Sequence, residues 1–445
     1  MIRSPPDAIV IGLGAAGSAT LYHLAKQGLK VLGLEAQPHV AHGQGSSHGG
    51  SRIIRMVYQE HPSYVSWLKR SFELWRRLEE EENEKLLVTT GCLNASTERA
   101  VGAHGHSCYQ GAVQSAELHN LPHTRLDAAE VNSQFPAFSF PENFKALYDP
   151  AGGFLYPEKA ITAFTNSALK NGAEVVCNSP VTSWKRVFRG KNESEGGEEV
   201  IVVETKGGEK YITQRLIITA GPWMSELVPE LAPVLQVERQ VVGWFGPPPV
   251  EEVSSSTEDE KESSKKFSPE NCPVYLIDDD EGYFYGFPAD ENNLAKIGKY
   301  NHLNQHVSVV DHLDRKAHLE DEEALRTCLR KYLPGVAAAP MQMSSVCMFT
   351  NTPDNHFILD YHPKYRPCQE SLEEGDQGRW QETEGPVVVL GSACSGHGFK
   401  FAPVLGEIIG DLAMSKKKGP VLEGLEMHAL DGSRDDKFKE VLKLF

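Results

Sequence analysis

The first 35 residues change repeatedly between a buried-strand pattern and an amphipathic-helix pattern. Ala8–Ile11 is a short apolar run, typical of a parallel strand that is buried on both faces. Apolar residues then recur at helical spacing up to Gly28, where a glycine commonly terminates a helix. Lys30–Glu35 predicts a second buried strand. The predicted order is therefore strand, glycine turn, helix, strand.

Comparable patterns return later in the chain. The segments 172–184 and 198–221 predict successive strands, and the polar stretch 190–199 predicts a hairpin loop between two of them. Residues 320–333 have helical spacing and end before a proline, and residues 386–414 predict a final strand, glycine-rich turn and helix. In contrast, residues 247–269 are rich in serine and charge and predict a disordered surface loop outside any core.

Length and composition narrow the class of protein. A chain of 445 residues exceeds one ordinary domain. The 44 basic and 61 acidic residues give a net charge of -17, which disfavours binding to nucleic acid or anionic membranes. No apolar run reaches the roughly 18–20 residues of a membrane span. The eight cysteines lack metal-site spacing, which predicts free thiols and no metal site.

The two ends of the chain bear on its location. The apolar stretch Ala8–Gly17 lacks the small-residue cleavage site of a signal peptide. The C-terminal residues Lys443, Leu444 and Phe445 differ from a peroxisomal address of the S-K-L type. We therefore expect a soluble protein with cytoplasm as its default location and the peroxisome as the alternative.

The glycine turn after the first strand has the spacing of a dinucleotide-binding fingerprint. Gly12, Gly14 and Gly17 form G-x-G-x-x-G between a predicted strand and a predicted helix. The helix N-terminus can accept a pyrophosphate there. Glu35 ends the second strand, where a carboxylate can accept hydrogen bonds from ribose hydroxyls and disfavours a 2′-phosphate. The pattern itself leaves NAD and FAD as alternatives.

Further motifs resemble one family in order along most of the chain. They are SSHGGSRIIR (46–55), LQVERQVVGWF (235–245), GYFYGFP with LAKIGKY (282–300), SSVCMFTNTPDNHFILDYHP (344–363) and GSACSGHGFKFAPVLGEIIGDL (391–412). With these motifs the chain resembles the monomeric sarcosine oxidase family, which also contains N-methyltryptophan oxidase and pipecolate oxidase, with fructosyl-amino-acid oxidases as more distant relatives. The resemblance implies FAD as the cofactor.

The resemblance also implies the fold class and its division. We expect an α/β two-domain flavoprotein with a Rossmann-like FAD-binding domain and a mixed β-sheet substrate domain. The expected FAD-binding domain is discontinuous and comprises residues 1–90, 150–225 and 345–445. The expected substrate domain comprises residues 91–149 and 226–344 and covers the flavin.

The family's substrate-binding and oxygen-activating residues have counterparts here. The resemblance implies that Arg55 and Lys400 hold a substrate carboxylate, a task that suits a guanidinium fork and an ammonium. It places Lys296 over the flavin ring, where a cation assists the reduction of O2. Tyr285 is expected to form a wall on the substrate side.

Other implied residues contact the cofactor. His48 and Arg52 are expected to bring positive charge to the flavin ring. Cys347 corresponds to the cysteine that bonds to the flavin 8α-methyl group, and nearby positive charge should lower its pKa. Cys394 is the rival thiol and is interpreted as a packing residue. The late glycine-rich turn is expected to contact the flavin and to direct a helix N-terminus at it through Gly396, Gly398 and Phe399.

The chain departs from the family at one pocket position. Four residues after its lysine the family commonly has a histidine, whereas this chain has Tyr300 there and His302 two residues later. This difference puts sarcosine itself in doubt as the preferred substrate, and we assign His302 no catalytic role.

The activity implied is oxidation of secondary amino acids such as sarcosine by a monomeric enzyme, with O2 as acceptor and H2O2 and an imine as products. The alternatives are a pipecolate or fructosyl-amino-acid oxidase, a flavin dehydrogenase, and a non-catalytic nucleotide-binding scaffold.

Overall fold

The computed structural model describes residues 5–97, 100, 106–189, 198–246, 265–367, 385–392, 394–414 and 425–445. The helices of this part are α1 (Ala15–Lys26), α2 (Tyr64–Glu82), α3 (Cys108–Leu118), α4 (Ala128–Gln134), α5 (Pro157–Lys170), α6 (Met224–Leu227), α7 (Leu319–Tyr332), α8 (Pro334–Ala337), α9 (Ala402–Ala413) and α10 (Asp436–Leu442). The first thirteen strands are β1 (Ala8–Ile11), β2 (Val31–Leu34), β3 (Arg52–Ile54), β4 (Leu87–Thr89), β5 (Cys92–Thr97), β6 (Thr124–Asp127), β7 (Phe144–Asp149), β8 (Gly153–Leu155), β9 (Glu174–Val176), β10 (Val181–Arg189), β11 (Glu198–Thr205), β12 (Lys210–Thr213) and β13 (Arg215–Ile218). The remaining strands are β14 (Gln236–Phe245), β15 (Val274–Asp279), β16 (Gly282–Ala289), β17 (Ala295–Lys299), β18 (Gln305–His306), β19 (Met341–Asn351), β20 (Ile358–Tyr361) and β21 (Val387–Ser392).

The N-terminal unit belongs to a six-stranded sheet with the order β20-β21-β13-β1-β2-β9. Neighbouring strands from β9 to β21 are parallel, and only β20 is antiparallel to its neighbour. Such a sheet needs apolar cover on both faces. Alternate residues supply it: Ala8 and Val10 pack with α1, α2, α5 and α9, whereas Ile9 and Ile11 pack with β11 and α10. The predicted Rossmann-like α/β arrangement is confirmed.

The second large sheet has the order β18-β14-β17-β16-β15-β5-β7-β6, and β19 also pairs with β14. Most of its pairs are antiparallel, and β5 is parallel to β15. One face carries Phe245, Ile277 and Ile297, which pack against Leu325 and Leu329 of α7. The opposite face lies toward the first sheet and forms a wall of the cavity described below. The predicted mixed β-sheet is therefore present.

Two segment predictions can be compared directly with the structure. The strands flanking the polar stretch 190–199 form the antiparallel pair β10–β11, and the predicted helix at 320–333 is α7. Most of the predicted loop 247–269 lies outside the described residues. Its end is described, however, and there the prediction of no core contact is wrong, because Phe267 is buried in the core beside α7. The carbonyl of Phe267 also accepts the backbone N–H of Ala289 at 2.7 Å, so the ring and the backbone both attach this end to the sheet.

The division into two domains stays a prediction. The strands of the six-stranded sheet all fall within the expected FAD-binding ranges. The expected boundary at 344/345 lies inside β19, a strand of the large sheet. Among the described residues, no helix combines the length and apolar character required to cross a membrane.

Candidate functional site

A cavity of about 800 Å³ extends from the glycine turn after β1 to the inner face of the large sheet. This volume lies in the upper part of the range for cofactor and small-molecule sites, which is about 300–1,000 Å³. The sequence-predicted residues that line it are Gly12, Gly14, Glu35, Arg52, Arg55, Tyr285, Cys347, Gly396, Gly398, Phe399 and Lys400. Gly17, His48 and Lys296 are not among the lining residues and lie close behind the wall.

Two positions of the glycine turn at one end of the cavity, Gly12 and Gly17, have no room for a side chain. Gly12 has φ +83°, and a Cβ atom there would lie 2.7 Å from the carbonyl oxygen of Thr219. A Cβ at Gly17 would lie 1.8 Å from the carbonyl oxygen of Gly12. Gly17 therefore acts by letting α1 approach the strand, which explains why it does not line the cavity. The Thr219 hydroxyl also donates to the carbonyl of Gly12, at 2.9 Å.

Glu35 lies at the end of β2 and is held as an anion. Its carboxylate accepts hydrogen bonds from the backbone N–H groups of Leu13 and Gln37, each at 2.9 Å, and lies 3.2 Å from His42. Burial alone would raise the pKa of Glu35, but these hydrogen bonds together lower it. A fixed negative charge at this point accepts ribose hydroxyls and repels a 2′-phosphate.

At the other end of the cavity, Arg55 forms a buried ion pair. Its Nη2 donates to both carboxylate oxygens of Glu60, at 2.6 and 2.7 Å. The Arg55 guanidinium also lies 4.7 Å from the centre of the Tyr58 ring. Burial opposes the charge of Arg55, but Glu60 outweighs it and raises its pKa. The pair positions a permanent cation at the cavity wall.

Lys400 approaches the same tyrosine. Its ammonium lies 5.2 Å from the centre of the Tyr58 ring and donates to the carbonyl of His397 at 2.6 Å. Burial, together with the charge of Arg55, lowers the pKa of Lys400 to about 7. The structure thus brings together two cations that are 345 positions apart in the chain (400 − 55). Trp75 supports the arrangement by donating to the carbonyl of Lys400.

His397 links this cation pair to the late glycine-rich turn. Its Nε2 lies 3.0 Å from the carbonyl oxygen of Asn355, which can only accept. The proton is therefore on Nε2, and Nδ1 accepts the hydroxyl of Tyr58 at 2.6 Å. These two contacts fix the orientation of the His397 imidazole in the cavity wall.

Lys296 and Arg52 form a second group of basic side chains. The ammonium of Lys296 donates to the carbonyls of Gly49 and Ser51, at 2.7 and 2.8 Å, and lies 4.5 Å from the centre of the Phe287 ring. Burial, followed by the charge of Arg52, lowers the pKa of Lys296 well below its usual value. Lys296 is thus close to the cavity, but its ammonium is hydrogen-bonded to the segment before β3.

His48 lies beside the same group of basic side chains. It is buried and lies 3.3 Å from the Ser345 hydroxyl. Burial, followed by the charges of Arg52 and Lys296, lowers the pKa of His48 to about 3. A pKa in this range favours the neutral imidazole at pH 7. The role of His48 at the flavin stays a prediction.

Cys347 lines the cavity from the large sheet, as a candidate for attachment requires. The charges of Arg52 and Lys296 act on its pKa in the predicted direction, but burial is larger and the pKa of Cys347 is raised. The prediction of a lowered pKa is therefore wrong. Cys394 also lines the cavity, and burial raises its pKa to about 11.

Tyr300 and His302, the two residues where the chain departs from the family pattern, lie in different places. Tyr285 and Tyr300 both line the cavity, and the Tyr300 hydroxyl donates to the carbonyl of Ser395 at 2.8 Å. His302 is buried elsewhere, with Nε2 2.9 Å from Asp321. His302 is therefore not a lining residue, and its lack of a catalytic role stays a prediction.

Several site residues escaped the sequence analysis: Tyr58, Glu60, Glu158, Thr219, Trp223, Tyr283 and His397. Glu60 had a usable signal, since a buried arginine needs an acidic partner and this acid follows Arg55 by five positions. No sequence signal indicated Glu158, because it accepts the backbone N–H groups of Gly49 and Gly50 from α5, more than 100 positions away in the chain.

Comparison with known proteins identifies the class of this fold and site. Residues 7–412 match the FAD dependent oxidoreductase family, and the chain belongs to that family. It is 32% identical over 418 residues to a monomeric sarcosine oxidase of Bacillus sp., covering 92% of this chain and 93% of the relative. It is 32% identical over 413 residues to an N-methyl-L-tryptophan oxidase of Salmonella arizonae, covering 92% of this chain and 95% of the relative. A solved structure of NikD, an unusual amino acid oxidase essential for nikkomycin biosynthesis, has the same fold, with a TM-score of 0.70, 20% identity and coverage of 96% of each chain.

The protein is accordingly an FAD-dependent oxidoreductase, and the cavity fits that cofactor. The glycine turn and Glu35 suit the dinucleotide half, as described above. Two lining side chains, Thr350 and Ser392, carry buried hydroxyl oxygens that have no hydrogen-bond partner among the described residues. Such groups are satisfied when a polar ligand binds.

Proposed function

We propose that the protein is an oxidase of secondary amino acids, with sarcosine or another N-methyl amino acid as the leading substrate. The names of the Bacillus and Salmonella relatives support N-methyl amino acids as the substrate class. The proposal includes a monomeric, cytoplasmic protein, and the name of the Bacillus relative supports the monomer.

The convergence of Arg55 and Lys400 on Tyr58 carries the proposal. Two cations on one aromatic ring, at 4.7 and 5.2 Å from its centre, form a buried receptor for a carboxylate. Arginine offers a planar fork and lysine a point charge, so together they fix the orientation of an amino acid. A non-catalytic scaffold has no need of such a receptor in the wall of its cofactor cavity.

Bound FAD would accept a hydride from the N–CH carbon and pass the electrons to O2, giving H2O2. The imine product leaves and hydrolyses. The protein's part is to bind and orient the substrate. Leu276, Tyr285 and Phe349 line the cavity and exclude water from the reacting carbon. Arg52 supplies positive charge near the site for negative charge that develops there.

The proposal includes a covalent bond between Cys347 and the cofactor. Its support is the position of Cys347 in the cavity wall, beside the charges of Arg52 and Lys296. Since burial raises the pKa of the thiol, attachment requires these cations to stabilise the thiolate while it reacts.

An anaerobic panel of amines tests the proposed substrate class. Sarcosine, other N-methyl amino acids, pipecolate and a fructosyl amino acid are mixed with the purified protein, and loss of flavin absorbance is recorded. We expect reduction by at least one N-methyl amino acid. Reduction by pipecolate or the fructosyl amino acid alone would favour those alternatives, and no reduction by any of them would remove the proposal.

One observation favours a second candidate, a dehydrogenase that passes electrons to another acceptor. The ammonium of Lys296 donates to Gly49 and Ser51 and does not line the cavity, although its expected role is to assist O2. Lys296→Met distinguishes the two functions in stopped-flow measurements. For an oxidase, this substitution slows reoxidation by O2 far more than reduction by substrate. Equal slowing of both half-reactions would favour the dehydrogenase.

A further inference from the structure

The segment 425–445 follows the family-matched range 7–412 and contacts the preceding part of the chain through a partly buried ion pair. Arg434 is 4% exposed and donates to both carboxylate oxygens of Asp354, at 2.8 and 3.0 Å. Burial would raise the pKa of Asp354, but the hydrogen bonds and charge of Arg434 lower it. A bidentate pair of this kind holds both partners in a fixed geometry.

Asp354 organises the turn between β19 and β20. One of its carboxylate oxygens accepts the Thr352 hydroxyl at 2.8 Å and the His356 N–H at 3.1 Å. Asn355, between them, has φ +58° in the left-handed region. Its carbonyl consequently points at His397 and accepts the Nε2–H group at 3.0 Å.

The same turn contacts the glycine-rich turn a second time. The backbone N–H of Thr352 donates to the Ser395 hydroxyl at 3.3 Å. His428 of the C-terminal segment accepts the backbone N–H of Phe357 and stacks on its ring, with centroids 5.2 Å apart. The C-terminal segment therefore contacts the β19–β20 turn, and this turn contacts His397 of the cavity wall.

His397 transmits this contact to the two cations. Its Nδ1 accepts the Tyr58 hydroxyl at 2.6 Å, and the Tyr58 ring carries Arg55 and Lys400 on its faces. The carbonyl of His397 also accepts the Lys400 ammonium at 2.6 Å. Each contact from Arg434 to Lys400 is thus a hydrogen bond, an ion pair or a cation–π contact between named groups.

We propose that Arg434 is a positioning residue for the carboxylate receptor. By fixing Asp354 and the Asn355 carbonyl, it holds His397 in its Nε2–H form and so orients Tyr58 beneath Arg55 and Lys400. The receptor role of these cations rests on the proposed function. The orientation of His397 does not, and it can be measured without any substrate.

The test compares Arg434→Ala with wild-type protein in the FAD-bound form. Nitrogen-15 histidine NMR reports the tautomer of His397, whose signals are assigned with His397→Asn. We expect a single Nε2–H form in wild type and a mixture of tautomers or partial protonation in Arg434→Ala. The Kd of acetate, read from the flavin spectrum, should rise by a factor of about 3 to 30, as is typical of substitutions along such contact networks.

Matched variants separate positioning from general loss of stability. Phe445→Ala removes another contact of the same segment, the ring packed at 4.8 Å on His362, and should leave both readouts unchanged. Arg434→Lys keeps one charge–charge contact and should restore both in part. If Arg434→Ala does not fold, Asp354→Asn is measured in its place.

The proposal is overturned if the His397 signals of the Arg434 or Asp354 variant match those of wild type. It is also overturned if Phe445→Ala changes them equally. If wild-type protein shows a single Nε2–H form of His397 but oxidises no amine, only the proposed function is contradicted. Unchanged acetate binding with altered His397 signals removes the link to the receptor.

Discussion

Arg55 and Glu60 form an ion pair in which one guanidinium nitrogen reaches both carboxylate oxygens, at 2.6 and 2.7 Å, with both side chains buried. Both residues also line the cavity. A substrate carboxylate therefore has to share Arg55 with an internal carboxylate or replace it.

The first prediction concerns this competition. Glu60→Gln removes the internal carboxylate and leaves the buried charge of Arg55 uncompensated. We expect acetate to bind about tenfold more tightly, since a charge-assisted pair is then available to the ligand. The Tm of the variant should be lower without acetate and should recover more on adding it than that of wild type. Glu73→Gln, at an exposed position, is the control, and weaker acetate binding by Glu60→Gln would contradict the prediction.

The second prediction is a pH dependence of carboxylate binding. Burial, followed by the charge of Arg55, lowers the pKa of Lys400 to about 7, whereas Arg55 stays charged. The charged ammonium binds the anion, so affinity should be full below this pKa and should fall as pH rises through it. The Kd of acetate, measured from pH 5.5 to 9, should show this transition. Lys400→Met should bind acetate weakly and should show no such pH transition. An identical transition in that variant would assign the titration to another group.

The third prediction concerns covalent attachment. In wild type, acid-precipitated protein should remain yellow, and a flavin-modified peptide should contain Cys347. Cys347→Ser lacks the nucleophile, so its flavin should be released into the acid supernatant. Cys394→Ser is the matched control, because Cys394 also lines the cavity, and it should retain the bond. Release of all flavin from the wild-type protein would refute the attachment.

The fourth prediction concerns stability away from the cavity. Asp321, at the start of α7, is 0% exposed and accepts both Arg239 Nη groups, at 2.8 and 2.9 Å, and His302 at 2.9 Å. Burial would raise the pKa of Asp321, but these partners lower it to about 2. Asp321→Asn should reduce the free energy of unfolding by about 3–5 kcal/mol, the usual effect of breaking a buried ion pair. Denaturant titration measures this loss.

The exposed Asp314 gives the control for that measurement, and Asp314→Asn should change stability little. Because the folded-state pKa of Asp321 is depressed, its contribution is complete above the ordinary aspartate pKa. It is lost as pH falls toward 2. Equal effects of the two substitutions would contradict the assignment.

Local patterns predicted the first sheet well. The strand at Ala8–Ile11 and the helix ending before Gly28 agree with β1 and α1, because apolar period and a C-terminal glycine depend on neighbouring residues. The prediction for Phe267 was wrong. Its polar neighbours predicted a surface loop, but packing beside α7 buries it.

The family resemblance also pointed to cavity-lining residues, since Arg55, Cys347 and Lys400 all line the cavity. Their protonation states were a different matter. The pKa of His48 is lowered and that of Cys347 is raised, and burial is the largest cause in both cases. Burial depends on which distant segments cover a side chain.

The sequence by itself determined the βαβ unit, the acid at Glu35 and the residue types available to the cavity, because spacing along one segment specifies them. Only the tertiary structure decided that Arg55 pairs with Glu60, that Lys400 meets it on Tyr58, and that Asn355 holds His397. Arg55 and Lys400 lie 345 positions apart in the chain, and Asn355 and His397 lie 42 apart. The energies of these contacts, including that of Arg55 with nearby Glu60, depend on distance and exclusion of water, which no local pattern contains.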